Sequence, residues 1–559
     1  MRTFLSERTV VLTGSTGFLA KVFLEKLLWE QPDVRKVFLV IAPRGAQTAE
    51  DRLAKEIIAA PLFDRLRARH GDDFEAFARA KLVPVAGDLG VDGLGLSPEA
   101  ESAIVAETDV VVHSAATTTF DERFDVAVNI NTLGPRRVLA LAKRCENLKV
   151  MCHVSTAFVN GLRVGRAAER AFRVGDSIAV ELAEGKKNKT NKTAVREKAT
   201  ETAKGVDPYE EVALAFAEAD SAGLRAESGK NASSRMSRLG SARARANGWQ
   251  DTYVFTKAMG EQILSAERGD VPLVIVRPSI VEGALSEPFP GWIEGVRMAD
   301  PLILAYGKGL IRGFVGDKEG VLDIVPVDAV VNVMLAALAR SAMSSEDRAS
   351  NEARHERASN ADPADDEIDD VTVYHVATST LNPLNFSEFL RIVSGHFAER
   401  PLADKRSGAS IVPSADISVF STRLAFEVDT WLRQGGVRLA GVSLLEKLKP
   451  GTMSRADRRR MAVAEKTLEQ LRGMGELYAP YTKYAARFSS TNVVTLRESL
   501  SPEDARAFPF ELEALDWGEY LSSVHIPGLL KHALRIEPRG AETKAAKVNE
   551  AATVNERAP

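Results

Sequence analysis

The chain has 559 residues, 45% of them hydrophobic, with 73 Lys and Arg against 77 Asp and Glu for a formal net charge of -4. That length exceeds one ordinary domain, and the near-balanced charge gives no global attraction to nucleic acid. Only two cysteines occur, Cys145 and Cys152, and the eight histidines are scattered, so neither a disulfide framework nor a metal-ligand spacing is present. No run reaches the roughly 18 uninterrupted apolar residues of a membrane span. The first strand starts almost at once, with polar residues and no leader before it. The expected compartment is a reducing cytoplasm.

Thr9 to Leu12 read as an apolar strand, followed by a tight turn, Thr13-Gly14-Ser15-Thr16-Gly17. Phe18, Val22, Leu24, Leu27 and Leu28 then form a helical apolar stripe. This is the pattern of a dinucleotide cradle, in which small residues let the backbone approach a pyrophosphate seated on the helix N-terminus. Ala20 takes the position where helix and strand pack closely. Val37 to Ile41 supply the next strand at βαβ distance. Its end, Ala42-Pro43-Arg44-Gly45, carries no carboxylate for the ribose 2′-hydroxyl of NAD. Arg44 therefore either accepts the 2′-phosphate of NADPH or is a solvated loop residue.

Lys81 to Leu89 form a third strand ending in Gly87-Asp88-Leu89, where a carboxylate can meet the adenine amine. Val110 to Ala116 form a fourth, ending in small residues, Ser114-Ala115-Ala116, where a ribose can lie close. Asn129, Asn131 and Gly134 are expected to start a helix through Val138, Leu139 and Leu141. Val150 to Val154 deliver Ser155 and Thr156 at a strand C-terminus, where such sheets bind ligands. Residues 184–204 are rich in Lys, including Lys186, Lys187, Lys189 and Lys192, and Ser/Arg-rich sequence runs to Asn247 around a helix over Pro208 to Ala219. These stretches, residues 341–370 and the tail after Pro538 are expected to be solvated loop or disorder. The other reading of the Lys-rich stretch is a docking patch for acidic carrier proteins or membrane phosphates.

Tyr253-Val254-Phe255-Thr256-Lys257 places a phenol and an ammonium on one helix face. A neighbouring ammonium favours the phenolate and is expected to pull the phenol below its usual pKa of about 10. With the cradle upstream, the pair points to an oxidoreductase of the short-chain dehydrogenase type. The expected fold is α/β: a doubly wound Rossmann-type parallel sheet over 1–400, a mostly helical C-terminal domain over 401–536, and a disordered tail over 537–559.

The order of these segments resembles the fatty acyl-CoA reductases, the male-sterility group of extended short-chain dehydrogenases. The resemblance covers most of the chain. It rests on Thr13-Gly14-x-x-Gly17-Phe18-Leu19, Leu62-Phe63-Asp64-Arg65-Leu66, Gly87-Asp88-Leu89 and His113-Ser114-Ala115-Ala116. It continues in His153-Val154-Ser155-Thr156-Ala157-Phe158-Val159-Asn160-Gly161, Tyr253-x-x-x-Lys257 and Val276-Arg277-Pro278-Ser279-Ile280-Val281. Glu287-Pro288-Phe289-Pro290-Gly291-Trp292, Leu500-Ser501-Pro502-Glu503-Asp504 and Asp516-Trp517-x-x-Tyr520 complete it. Two features depart from the family: Ala42 stands where an Arg usually ends the second strand, and the segment between Gly161 and Tyr253 is longer than expected.

The resemblance implies NADPH-dependent reduction of a long-chain fatty acyl-CoA, or an acyl-carrier protein, to the aldehyde and on to the primary alcohol that feeds wax esters. Tyr253 would donate a proton, and Thr156, in preference to Ser155, would hold the same oxygen. Lys257 would bind the nicotinamide ribose. Thr13, Gly14, Thr16, Gly17, Phe18, Leu19, Asp88 and Leu89 would line the cofactor, with Ser114, Ala115, Ala116, Asn131, Pro278 and Ile280. No metal is implied, and peripheral membrane contact and a homodimer are compatible with this reading. Trp292, Ile293, Val296, Met298, Leu302, Ile303 and Leu304 fall in the substrate segment, and Asp323 to Ala339 and Tyr374 to Val376 in the returning core. Met461, Ala464, Leu468, Leu471 and Tyr478 form a helical stripe begun by Ser454 and Asp457, which is either a wall over an acyl tunnel or ordinary core. Arg458, Arg459 and Arg460 read as a solvated face, with contact to headgroups or CoA phosphates as the alternative. A sugar-nucleotide epimerase or dehydratase, and a non-catalytic dinucleotide-sensing scaffold, remain as other readings.

Overall fold

The computed structural model describes residues 4–189, 205–221, 223, 230–342, 371–404, 407–414, 417–433 and 454–536. Most of the Lys-rich stretch, residues 343–370 and the tail from 537 lie outside them. The chain divides into two compact units, each drawn from separated stretches: Met1–Val281, Asp323–Pro383 and Tyr484–Ala514 in one, Glu282–Leu322, Leu384–Lys483 and Leu515–Pro559 in the other. This differs from the single boundary near residue 400 drawn from composition.

In the first unit the apolar runs become strands β1 (Thr9–Thr13), β2 (Lys36–Ile41), β3 (Leu82–Ala86) and β4 (Val110–His113). They continue as β5 (Val150–Val154), β6 (Leu273–Pro278) and β7 (Thr372–Val376). All pair in parallel, in the order β7-β6-β5-β4-β1-β2-β3. Val10 to Leu12, Val110 to Val112, Val150 to Cys152 and Val274 to Val276 are buried, as expected of strands covered on both faces. The strand order reverses between β1 and β4, so the cleft beyond their C-termini is the ligand-binding switch point of a doubly wound sheet. Helix α1 (Phe18–Glu30) leaves β1 there, and Gly17 caps it without a side chain.

One helix starts earlier than periodicity suggested, and two stretches read as loop are partly or wholly helical. A helical run opens at Phe124, passes through a wide π turn at Val128–Thr132 and continues as Leu133–Ala142, so Asn129 and Asn131 sit inside it. Phe124, Ala127 and Val128 are buried, which extends the helix beyond the polar pair. The Lys-rich stretch begins within the helix Ile178–Lys189. The Ser/Arg-rich sequence expected to be loop is α2 (Lys230–Ala246). Met236, Gly240 and Ala244 recur every fourth residue and are buried, and a Cβ on Gly240 would come within 2.7 Å of Thr252 Oγ1 and 3.1 Å of Phe124 Cβ. Ser and Arg occupy the remaining face, so the composition concealed a narrow packing seam. The next helix, α3 (Thr252–Glu267), carries Tyr253 and Lys257.

The second unit is mostly helical, with Asp300–Gly307, Phe386–Glu399, Arg423–Arg433 and Arg455–Thr482. Leu468 and Leu471 of the predicted stripe are buried. Among the described residues no helix is long and apolar enough to cross a membrane.

Candidate active site

The β1–α1 turn shows why its glycines cannot be larger. Gly14 has φ +76°, and a Cβ there would lie 2.7 Å from the Ala115 nitrogen and 2.8 Å from its Cα. The turn therefore seats directly on the end of β4, and its backbone is free of side chains where a pyrophosphate would lie. Gly17 N–H donates to the Gly14 carbonyl (2.8 Å) and closes the turn. The cradle fits a dinucleotide. Ser114, Ala115 and Ala116 extend half-buried beyond β4 beside it.

Asn131, expected to line the cofactor, is buried and makes structural hydrogen bonds. Its Oδ1 accepts from Thr117 N–H (3.0 Å), and its Nδ2 donates to the Thr117 carbonyl (3.0 Å) and to Thr256 Oγ1 (3.2 Å). It thus pins the segment after β4 to α3. Asp88 is exposed, with Oδ1 accepting from Gly90 N–H (2.8 Å), and Leu89 is half-buried beside it. Pro278 ends β6, with Ile280 buried just beyond.

At the end of β2, Arg44 is exposed and its backbone pairs with Gln47. A second cation, which sequence reasoning missed, lies deeper. Arg52 is 5% exposed; its guanidinium donates to the Ala42 carbonyl (2.7 Å), to Thr16 Oγ1 (3.2 Å) and to both oxygens of Glu56 (2.7 and 2.9 Å). It joins the end of β2 to the cradle. The trace in the sequence was an Arg four residues after Thr48, whose side chain caps the short helix Ala49–Arg52.

Beyond β5, Thr156 Oγ1 accepts from Phe158 N–H (3.3 Å), capping the turn Ala157–Asn160, and keeps its own hydroxyl proton to donate. Ser155 Oγ is buried and has no partner among the described residues. Asp251 caps α3, accepting from Val254 N–H (3.0 Å), and Trp249 Nε1 donates to the Val159 carbonyl (2.6 Å), tying the helix entry to that turn. Tyr253 lies against Phe120, with ring centroids 6.1 Å apart. Lys257 is 1% exposed and donates to the Val154 carbonyl (2.7 Å).

The electrostatics differ from the sequence expectation. Burial, reinforced by the Asp251 carboxylate, pushes the Tyr253 phenol up rather than down. Burial pulls Lys257 down to about 8, opposed by Glu261. A phenol held above its ordinary range keeps its proton at neutral pH, as a donor must. Among the described residues one group, Glu282, Asp300 and His525 in the second unit, clusters closely enough to ligate an ion. Gly283 N–H donates to His525 Nδ1 (3.3 Å), which leaves the ring proton on Nε2, 3.0 Å from Asp300 Oδ1. That tautomer offers a donor rather than a metal ligand.

The comparisons agree with this geometry. An NAD-binding family model described as male sterility protein matches residues 12–334, and a second of the same description matches 454–535. Fatty acyl-CoA reductase 2, chloroplastic, from Arabidopsis thaliana is 38% identical over 540 residues, covering 95% of this chain and 79% of that protein. The alcohol-forming fatty acyl-CoA reductase of Simmondsia chinensis is 32% identical over 536 residues, covering 95% and 98%. Among solved structures, the terminal R domain of the myxalamid biosynthetic pathway superposes with a TM-score of 0.51 at 16% identity, over 96% of this chain and 93% of that one, and shows the same fold. A doubly wound sheet, a nicotinamide-nucleotide cradle and this likeness along nearly the whole chain together place the protein in the male-sterility family of fatty acyl-CoA reductases.

Proposed function

We propose that this protein reduces long-chain fatty acyl thioesters with NADPH, through the aldehyde to the primary alcohol. The observation that carries the reading is the grouping, in one unit, of the Gly14 cradle, the hydroxyls ending β5 and the Tyr253/Lys257 face of α3. NADPH, when bound, supplies the hydride. Thr13 to Leu19, with Ser114 to Ala116, would hold its pyrophosphate and ribose, and Arg52 with Arg44 its 2′-phosphate.

Negative charge develops on the thioester oxygen as its carbon becomes tetrahedral, and donors aimed at that oxygen give the largest stabilisation. Thr156 donates its free hydroxyl proton as a hydrogen bond from one side. Tyr253 transfers its proton, leaving a neutral hemithioacetal. Lys257 steadies the phenolate formed and would hold the nicotinamide ribose of the bound cofactor. Collapse of the hemithioacetal breaks the C–S bond and releases the thiol, whose sulfur takes the hydroxyl proton. Once Tyr253 has regained a proton from solvent and a second NADPH has replaced the oxidised cofactor, the aldehyde carbonyl would take up the same donor contacts for the second reduction. A cavity of about 330 Å³ in the same unit is lined by Arg163, Arg166, Arg170 and Glu181 among others. Three guanidiniums against one carboxylate suit the phosphates of a CoA or phosphopantetheine donor.

Product analysis tests the reading. Purified protein with NADPH and acyl-CoAs of graded chain length should consume NADPH and yield fatty alcohol, with aldehyde trapped by hydrazine. NADPH consumption with UDP-sugars and none with acyl thioesters would overturn it.

A further inference from the structure

Lys257 is a buried ammonium whose surroundings offer it little. Its Nζ has three protons to place and no acceptor function. One goes to the Val154 carbonyl, and the helix face toward Tyr253 leaves another for the cofactor ribose assigned above. The third faces His153 Nε2, 3.4 Å away. Since the ammonium only donates, that nitrogen accepts, and the ring proton sits on Nδ1, which is buried without a partner among the described residues.

His153 is itself held in a row. Thr13, His113 and His153 occupy the same register on β1, β4 and β5; Thr13 and His113 end their strands and His153 is the penultimate residue of β5. The two imidazoles stack with centroids 5.2 Å apart. Thr13 Oγ1 accepts from Ala115 N–H (3.3 Å) and is hydrogen-bonded to His113 Nδ1 (2.7 Å). The row thus runs from the cradle turn to the lysine. Both rings are fully buried; the charges acting on His153 are those of Lys257 on α3 and Arg277 on β6, with Glu261 one turn beyond Lys257. Burial and the Lys257 charge keep His113 down at about 3 and His153 well below its ordinary value, so both are neutral and His153 remains an acceptor.

We infer that His153 is a positioning residue of the reduction: stacked on His113 and fixed through Thr13, it accepts a hydrogen bond from Lys257 and so holds that ammonium charged and aimed one helical turn from Tyr253. This rests on Tyr253 and Lys257 being the working pair. Removing the acceptor disfavours the charged lysine, so the pH at which Lys257 loses its proton must fall.

The test uses the full chain and the pH dependence of acyl-CoA reduction, with NADPH affinity and melting temperature measured in parallel. His153→Leu should lower kcat and move the alkaline limb down by about one pH unit, the scale of one hydrogen bond to a charged group. His153→Gln, long enough to return an oxygen to Nζ, should restore the limb, while His153→Asn, too short to reach, should not. If His153→Leu does not fold, the Gln and Asn variants decide the matter between them. An unchanged limb in folded His153→Leu or His153→Asn would overturn the inference, as would equal limbs for Gln and Asn. Should Tyr253→Phe and Lys257→Met keep full activity, the underlying reading fails instead.

Discussion

At the scale of single residues, the phenol and the arginines beside β2 make different demands. Tyr253 is half-buried, and desolvation together with the neighbouring Asp251 carboxylate holds its phenol above the ordinary range, which suits a donor in the reductive direction. Tyr253→Phe is expected to leave NADPH affinity nearly intact and cut turnover by roughly 10²–10⁴, the scale of a lost general acid; steady-state rates with fluorescence titration of NADPH check this. Arg52, which bridges Ala42, Thr16 and Glu56, should dominate cofactor choice over exposed Arg44. Arg52→Ala should weaken NADPH more than NADH, and more than Arg44→Ala does; equal losses for both cofactors in titration would count against it. Glu282 is governed by burial and then by Asp300, which together raise its carboxyl well above 4.5. The folded chain keeps a proton that the unfolded chain loses above about pH 4.5, so stability falls as pH rises toward the folded pKa. Glu282→Gln retains an acceptor for the Ala299 N–H and should melt higher than the parent at pH 8, with the gap narrowing toward pH 5.

At the scale of elements, α2 shows how little apolar sequence a helix needs when its partner is close. Met236, Gly240 and Ala244 suffice because Gly240 lets the helix approach Thr252 at the start of α3 and Phe124 at the start of the helical run 124–142. Gly240→Leu should cost about 1–3 kcal/mol as overpacking, seen as a lower melting temperature. Because the displaced residue adjoins Tyr253, turnover should fall as well. Asn131 works at the same scale: inside a helical run it joins the Thr117 segment to α3, so the end of β4 and the helix carrying Tyr253 and Lys257 share one hydrogen-bonded residue.

At the scale of the whole chain, the interleaving of the two units decides what can be removed. Ala486–Phe488 pairs in parallel with Gly165–Ala167, and Phe488 is fully buried against Phe158, Tyr484 and His375. Asn492 Nδ2 donates to the Val373 carbonyl of β7 (2.8 Å). A chain ending near residue 400 loses these contacts from its own core. Such a truncation is expected to lose NADPH binding together with its cooperative thermal transition by circular dichroism, rather than shedding chain-length preference alone. Testing whether the 461–478 stripe walls an acyl tunnel therefore calls for point substitutions in Arg455–Thr482, read out as chain-length preference.

The parallel sheet, the cradle, the Tyr253/Lys257 face and the family were legible from residues 9–28, 110–116, 150–161 and 253–257. Local apolar periodicity and glycine turns write those features over short spans. Arg52 and the Thr13–His113–His153 row were not legible, because partners some 35 to 100 residues apart meet only through strand register and helix placement. The raised phenol was missed for the same reason. Spacing puts an ammonium near Tyr253, but burial, which sequence does not state, sets the sign of the shift. Helix α2 and the return of residues 484–514 to the first unit depend likewise on packing partners far along the chain, where polar composition says nothing of the narrow face that is buried.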